Sequence, residues 1–161
     1  MPVDPSHSIF YWELSIVVSS SSASPVAIGF SAADGPLNRF PGWETGSYGY
    51  HGDDGHVFGS AGLGTPYGPT FGAPGDTVGA LVVFSGTKKE ESIVPSATLR
   101  FTKNGILLPI AFTINWDCVS AYYPTVGMRV PGDSITTNFG TSPFAFDISG
   151  FVQVSVPPSS C

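Results

Sequence analysis

From Phe10 to Val18 the even positions are Phe10, Trp12, Leu14, Ile16 and Val18, with Tyr11, Glu13, Ser15 and Val17 between them. A period of two with one apolar side predicts a half-buried strand. Ser19–Ser22 carries no hydrophobic signal and reads as a loop, after which Val26, Ile28 and Phe30 resume the alternation. Asp34 to Asp76 is Gly-rich but too aromatic for a linker, with Trp43, Tyr48, Tyr50, Phe58, Tyr67 and Phe71, and predicts short strands and ordered loops against a sandwich. Thr77–Ser85 is apolar on both faces, as a covered central strand would be. Lys88–Glu91 reads as a charged hairpin tip and Leu99–Thr102 as the returning arm.

Asn104-Gly105 is the strongest turn signal, because a type I′ turn needs positive φ at both central residues. It predicts a hairpin between Leu99–Thr102 and the run Ile106, Leu108, Ile110, Phe112. Tyr122–Arg129 and Ser134–Phe139 follow, joined by a Pro131-Gly132-Asp133 turn, and alternating Val152, Val154 and Val156 suggest a last edge strand. No segment shows helical spacing. The expected fold is all-β, a two-sheet antiparallel sandwich with negligible helix.

Composition sharpens that picture. A chain of 161 residues suits one domain, and can bury roughly 70% of its unfolded surface without metal or disulfides. Charged residues make up only 11%, against about 25% in an average domain, so Ser, Thr, Gly and Pro must supply much of the solvated surface. The net charge of −6 removes the electrostatic basis for nucleic-acid binding. Between Arg39 and Lys88 there is no basic residue, while Glu44, Asp53, Asp54 and Asp76 fall there. Clustered, they would favour a neutral or basic partner; scattered, they are ordinary loop carboxylates. Cys118 and Cys161 make neither a disulfide framework nor a metal site. No signal peptide or membrane-length apolar run is visible, so an intracellular protein, cytoplasmic or nuclear, is expected. A secreted effector acting inside a host cell stays open.

The densest polar cluster is Tyr50-His51-Gly52-Asp53-Asp54-Gly55-His56. A general base or a metal site would use these residue types. The spacing lacks the alternating oxygens and bidentate Glu of a calcium loop, and no second ligand cluster accompanies it. A hydrogen-bonded Asp/Gly turn accounts for the same residues. The Gly59–Gly68 run lacks the helix and lysine that a phosphate-cradling loop needs. No catalytic residue, metal or cofactor is expected.

Read in order, several segments carry a resemblance. They are Tyr-Trp-Glu-Leu at 11–14, Ala-Ile-Gly-Phe-Ser at 27–31, Asn-Arg-Phe-Pro-Gly-Trp-Glu at 38–44 and Ser-Tyr-Gly-Tyr-His-Gly-Asp-Asp-Gly-His at 47–56. Pro-Tyr-Gly-Pro-Thr-Phe at 66–71, Gly-Asp-Thr-Val-Gly at 75–79, Phe-Thr-Lys-Asn-Gly at 101–105, Tyr-Pro-Thr-Val-Gly at 123–127 and Asn-Phe-Gly at 138–140 complete the set. Over about residues 9–148 the chain resembles a SPRY domain of the type found in Ran-binding scaffold proteins. The resemblance implies a domain over 9–156 with tails at 1–8 and 157–161, and a shallow peptide-binding surface formed by loops at one end of the sandwich. It also implies an adaptor role tied to a CTLH-type ubiquitin ligase, protein rather than membrane or nucleic-acid partners, and a monomer. It maps the peptide-lining tyrosine to Tyr50, with His51 and Asp53 beside it, and a second pocket-side loop to Met128, Arg129 and Val130. Trp43 matches a Gly-Trp motif that is as readily core as contact.

The Ser85–Ala97 hairpin is longer and more polar than its counterpart, and the helical LisH, CTLH and CRA segments that follow the domain in such scaffolds are missing. An excised domain, a stand-alone protein and a pathogen effector mimicking a host domain are all consistent with that. A lectin-like sandwich using Asp53, Asp54 and aromatic faces is the rival from another class.

Overall fold

The computed structural model of the chain describes residues 2–4, 7–22, 24–89, 92–115 and 121–155, and their side chains except those of 86–95 and 153–155. Glu90, Glu91, Cys118, Val156 and Cys161 lie outside the described residues, and with them the hairpin tip and any cysteine pairing. Among the described residues ten strands pair antiparallel into two five-stranded sheets. The first has the order β10 (Ser134–Asn138), β1 (Ile9–Val18), β6 (Thr77–Lys89), β7 (Ser92–Lys103), β8 (Ile106–Asn115). The second runs β5 (Thr65–Pro66), β4 (His56–Gly59), β3 (Ser47–His51), β2 (Val26–Ala32), β9 (Tyr122–Met128). The all-β sandwich expected from the sequence is the fold observed.

Alternation sets which side chains meet between the sheets. From β1 come Trp12, Leu14 and Ile16, from β6 Val78, Ala80 and Val82, and from β7 Leu99 and Phe101. The second sheet answers with Val26, Ile28, Phe30, Tyr50 and Val57. Each such large side chain contributes about 1.5–3 kcal/mol when fully withdrawn from water. Val3, within the segment expected as a tail, is also buried, and its N–H donates to Tyr122 O at 2.8 Å.

The turn at Asn104-Gly105 has φ of 50° and 79°, positive at both residues as a type I′ hairpin requires. Asp76 braces it. Its carboxylate takes Lys103 Nζ at 2.7 Å and Asn104 Nδ2 at 3.2 Å. In β8 the even positions do not share a face. Arg100 pairs with Ile110 but Leu99 pairs with Phe112, and the register slips again toward Leu107. Pro109, with no N–H to give, sits at this irregularity on an edge strand. Leu108 and Phe112 therefore reach the core, while Ile106 and Ile110 are exposed. The Pro131-Gly132-Asp133 turn carries the chain from β9 in one sheet to β10 in the other.

The last element corrects the sequence reading. Val152 and Val154 belong to a helix, α1 (Ile148–Ser155), not an edge strand. Asp147 caps it, accepting the Gly150 N–H at 2.9 Å. Ile148 and Phe151 lie three residues apart, so both turn toward Phe146 and Leu81 on the outer face of the first sheet. A capped turn with one apolar stripe outweighs β-branched alternation here.

Candidate functional site

β3 places consecutive side chains on opposite faces of the second sheet. Tyr50 points inward. It is fully buried, its ring 5.0 Å from Phe71, 5.3 Å from Tyr67 and 5.4 Å from Phe101, and its hydroxyl donates to Pro69 O. Burial holds that phenol well above the ordinary tyrosine range, with Tyr67 and Asp76 pushing the same way. Tyr50 thus offers no surface to a partner, and the expectation of an exposed aromatic face at this position is corrected. The reason is parity: Tyr50 pairs with Ile28 and Val57, both core residues.

His51 points outward and is nevertheless buried, because the segment 36–46 folds across this face. Its Nε2 donates to Pro41 O at 2.9 Å, and its ring stacks on Phe58 at 4.2 Å and meets Phe40 at 5.3 Å and Trp43 at 5.7 Å. Burial lowers its pKa below the usual histidine value, against the opposing pull of the Pro41 carbonyl, Asp54 and Asp53; the Arg129 charge adds to the lowering. The close approach of 36–46 explains two glycines. A Cβ at Gly49 would collide with Pro41 O, and one at Gly127 would lie 2.6 Å from Phe40 Cδ1.

Arg129 joins His51 by register. Ala27 pairs with both His51 and Gly127, and Arg129 stands two residues beyond Gly127 on the same side. Its Cζ lies 5.2 Å over the Phe40 ring and 5.5 Å from Trp43. Arg39 approaches Trp43 at 5.1 Å while its Nε bonds Glu44 at 2.8 Å. Phe40 and Trp43 are themselves stacked at 5.2 Å. Among the described residues no carboxylate lies within ion-pairing distance of Arg129, which is exposed.

The remaining sequence-predicted residues fall around this plateau. Asp53 and Asp54 are exposed in the turn between β3 and β4, closed by Gly55 N to His51 O at 3.1 Å. Met128 is exposed at the end of β9, and Val130, half-buried, opens the turn that Asp133 N closes at 3.3 Å. The structure brings His51 and Arg129 to one face, sets Asp53 near His51, and leaves Tyr50 on the other face. Of the four acids between Arg39 and Lys88, Glu44 is engaged by Arg39 and Asp76 by Lys103. Phe40, Phe58 and Arg39 were missed by sequence reasoning. Their signal was available: once alternation turns Tyr50 inward, His51 and its neighbours must build the outer face. Among the described residues no three His, Cys, Asp or Glu side chains converge to hold a metal.

Comparison with known proteins agrees with this architecture. The family model for the SPRY domain matches residues 9–142. Ran-binding protein 9 of Xenopus laevis is 44% identical over 152 residues, covering 94% of this chain and 25% of that protein. The Drosophila melanogaster Ran-binding proteins 9/10 homolog is 42% identical over 146 residues, covering 91% of this chain and 14% of its own. The chain therefore spans about a quarter or less of the length of such relatives. A crystal structure of a human SPRY domain superposes with a TM-score of 0.70 at 26% identity, covering 88% of this chain and 82% of that one.

Proposed function

The chain belongs to the SPRY family of protein-interaction modules, and on that premise we propose that it captures a peptide segment of a partner protein on the outer face of the second sheet. The observation that carries this reading is Arg129, exposed and unpaired by any described carboxylate, held over the Phe40 and Trp43 rings. Rigid aromatic faces beside an arginine are what interface hot spots are made of. The guanidinium offers several donors in a fixed fork, matched to a carboxylate or a peptide carbonyl. An acidic side chain in the partner satisfies it best.

Sheet edges support the same mode of binding. Among the described strands the four edges are β10, β8, β5 and β9, and three carry a proline: Pro109 in β8, Pro66 in β5 and Pro124 in β9. Proline removes a ladder donor, so these edges are poor templates for an added strand. Recognition then falls to side chains on a face. No chemistry is assigned to the module. Its role is that of an intracellular adaptor, in line with its Ran-binding relatives, and association with a ubiquitin ligase complex is the finer form of that proposal.

The test is differential capture. Wild type and Arg129→Glu are used as bait in cell lysate, with captured proteins identified by mass spectrometry. The proposal expects a defined subset, ligase subunits or their substrates among them, to vanish with the variant while its melting temperature is unchanged. Identical protein sets from the two baits would remove Arg129 from the site.

A further inference from the structure

A second concavity lies on the same face, between the segment 33–45 and the outward side of β9. It encloses about 470 Å³, and its walls include Ala33, Leu37, Phe40, Tyr123 and Thr125. That volume falls within the range of ligand pockets and is large enough for one or two side chains. Leu37 stands wholly exposed at its rim, where it extends the apolar wall formed by Ala33 and Phe40.

Several polar side chains of this groove are already paired with one another. Ser31 Oγ and Ser47 Oγ share a hydrogen bond of 2.8 Å, and Ser47 Oγ also accepts the Gly42 N–H at 2.6 Å. Thr125 Oγ1 donates to Tyr123 O at 2.9 Å, and Arg39 and Glu44 at the rim hold each other at 2.8 Å. Groups engaged in this way reward a polar ligand less than open ones would, and an apolar side chain leaves all of these bonds intact. The groove is also continuous with the plateau described above: Phe40 forms part of its wall, and the same ring lies under Arg129.

We infer that this groove is an aliphatic subsite for the same partner peptide whose acidic side chain meets Arg129; the inference rests on the peptide-binding reading. Register sets the spacing. Thr125 and Arg129 are four positions apart on the outward side of β9 and its extension, roughly 13 Å at the rise of an extended chain. An extended peptide lying alongside presents its acidic and its aliphatic residue about four positions apart.

The experiment is selection of random dodecapeptides displayed on phage against the full chain, followed by fluorescence polarisation with the enriched peptide in synthetic form. The expected motif pairs Asp or Glu with Leu, Ile or Val three to five positions away. Leu37→Glu, a change at a wholly exposed position that leaves folding intact, and Thr125→Trp, which fills the groove, should each weaken binding at least about tenfold. Replacing the peptide's aliphatic residue by Ala should make wild type and both variants equal. Arg129→Ala should weaken binding independently and become neutral when the peptide's acid is changed to its amide. If Leu37→Glu binds as wild type while Arg129→Ala does not, the subsite is overturned and the peptide-binding reading survives. An enriched motif lacking the aliphatic residue has the same consequence. No enriched motif, or no effect of either variant, overturns both. A concentration-dependent dimer in sedimentation that Leu37→Glu dissolves would reassign the groove to a second copy of the chain.

Discussion

The outer faces of the two sheets are built alike and finish differently. Each is crossed by a covering segment, and each holds that segment through buried polar side chains. On the first sheet Glu13 accepts the Ala145 N–H at 3.1 Å, the Tyr11 hydroxyl at 3.0 Å and Asn138 Nδ2 at 3.4 Å. On the second, His51 donates to Pro41 O at 2.9 Å. The covers differ in what they leave outside. Phe144, Phe146, Ile148 and Phe151 turn in against Tyr11 and Leu81 and close the first face. The 36–46 segment turns Phe40 in but leaves Arg39 and Leu37 to solvent and Trp43 partly exposed, with Arg129 above. A sandwich whose strands bury both faces gains stability from one cover and a recognition surface from the other, and the difference lies in the cover rather than in the strands.

Disrupting the shared interior should cost most. Tyr50→Ala empties a core position and strands the Pro69 carbonyl, so urea denaturation should show a loss of about 3–5 kcal/mol. A loss under about 1 kcal/mol would mean that Tyr50 is not the inward residue of β3. Glu13→Ala comes next. It deprives the Tyr11 hydroxyl and the Ala145 N–H of a charged acceptor inside the first cover, and about 2–3 kcal/mol should be lost in the same measurement. Peptide capture by the folded fraction should be unaffected, since the other face is untouched. If Glu13→Ala abolishes binding without unfolding, the two faces are coupled and the comparison fails.

The clasp on the second face should be pH-sensitive. The folded-state pKa of His51 is lowered, first by burial, so the native protein binds fewer protons than the unfolded chain near and below the ordinary histidine value. Its contribution to stability is complete above about pH 6.5 and declines as pH falls toward the folded-state pKa, with a slope of at most about 1.4 kcal/mol per pH unit. Melting curves between neutral and mildly acidic pH should show that decline, and His51→Gln should flatten it. An unchanged slope in the variant would assign the effect to other groups. Asp76 acts lower on the scale. Burial opposes its ionisation, yet Lys103, the Gly72 N–H and Asn104 outweigh that and hold it below the usual carboxylate range. Its contribution is therefore lost only in stronger acid.

Most of the sandwich could be read from local pattern. β1 and β2 lie where period two puts them, β6 where a run apolar on both faces does, and the Asn104-Gly105 hairpin where turn chemistry does. The site was less legible, and the instructive case is one peptide bond wide. Motif correspondence pointed to Tyr50, whereas the face that meets solvent belongs to His51's side of the strand. Which of two adjacent residues faces in is a parity question, settled by what pairs across the sheet, and pairing partners such as Ile28 and Val57 are distant in sequence. The aromatic plateau was harder still, since Phe40 and Trp43 reach the sheet from an irregular segment without periodicity. The alternation of Ile106, Leu108, Ile110 and Phe112 hides the break in β8, which falls at Pro109, a residue unsuited to a regular ladder.

The smallest effect concerns the end of the first cover. Asp147 precedes α1, and its Oδ1 accepts the Gly150 N–H at 2.9 Å, satisfying one of the donors that every helix leaves open at its start. The same carboxylate places negative charge at the positive end of the helix dipole. Asp147→Ala should therefore cost about 1 kcal/mol, and Asp147→Asn, which keeps the acceptor but not the charge, about half of that or less. The helix matters to the first face through Ile148 and Phe151, which pack on Phe146 and Leu81, so fraying should expose that apolar strip. Amide hydrogen exchange in Ile148–Val152 should accelerate in Asp147→Ala, while exchange in β3 and β9 stays as in wild type. Faster exchange in β3 as well would show that the cover on the first sheet also steadies the second, and the division between a closing face and a recognising face would have to be abandoned.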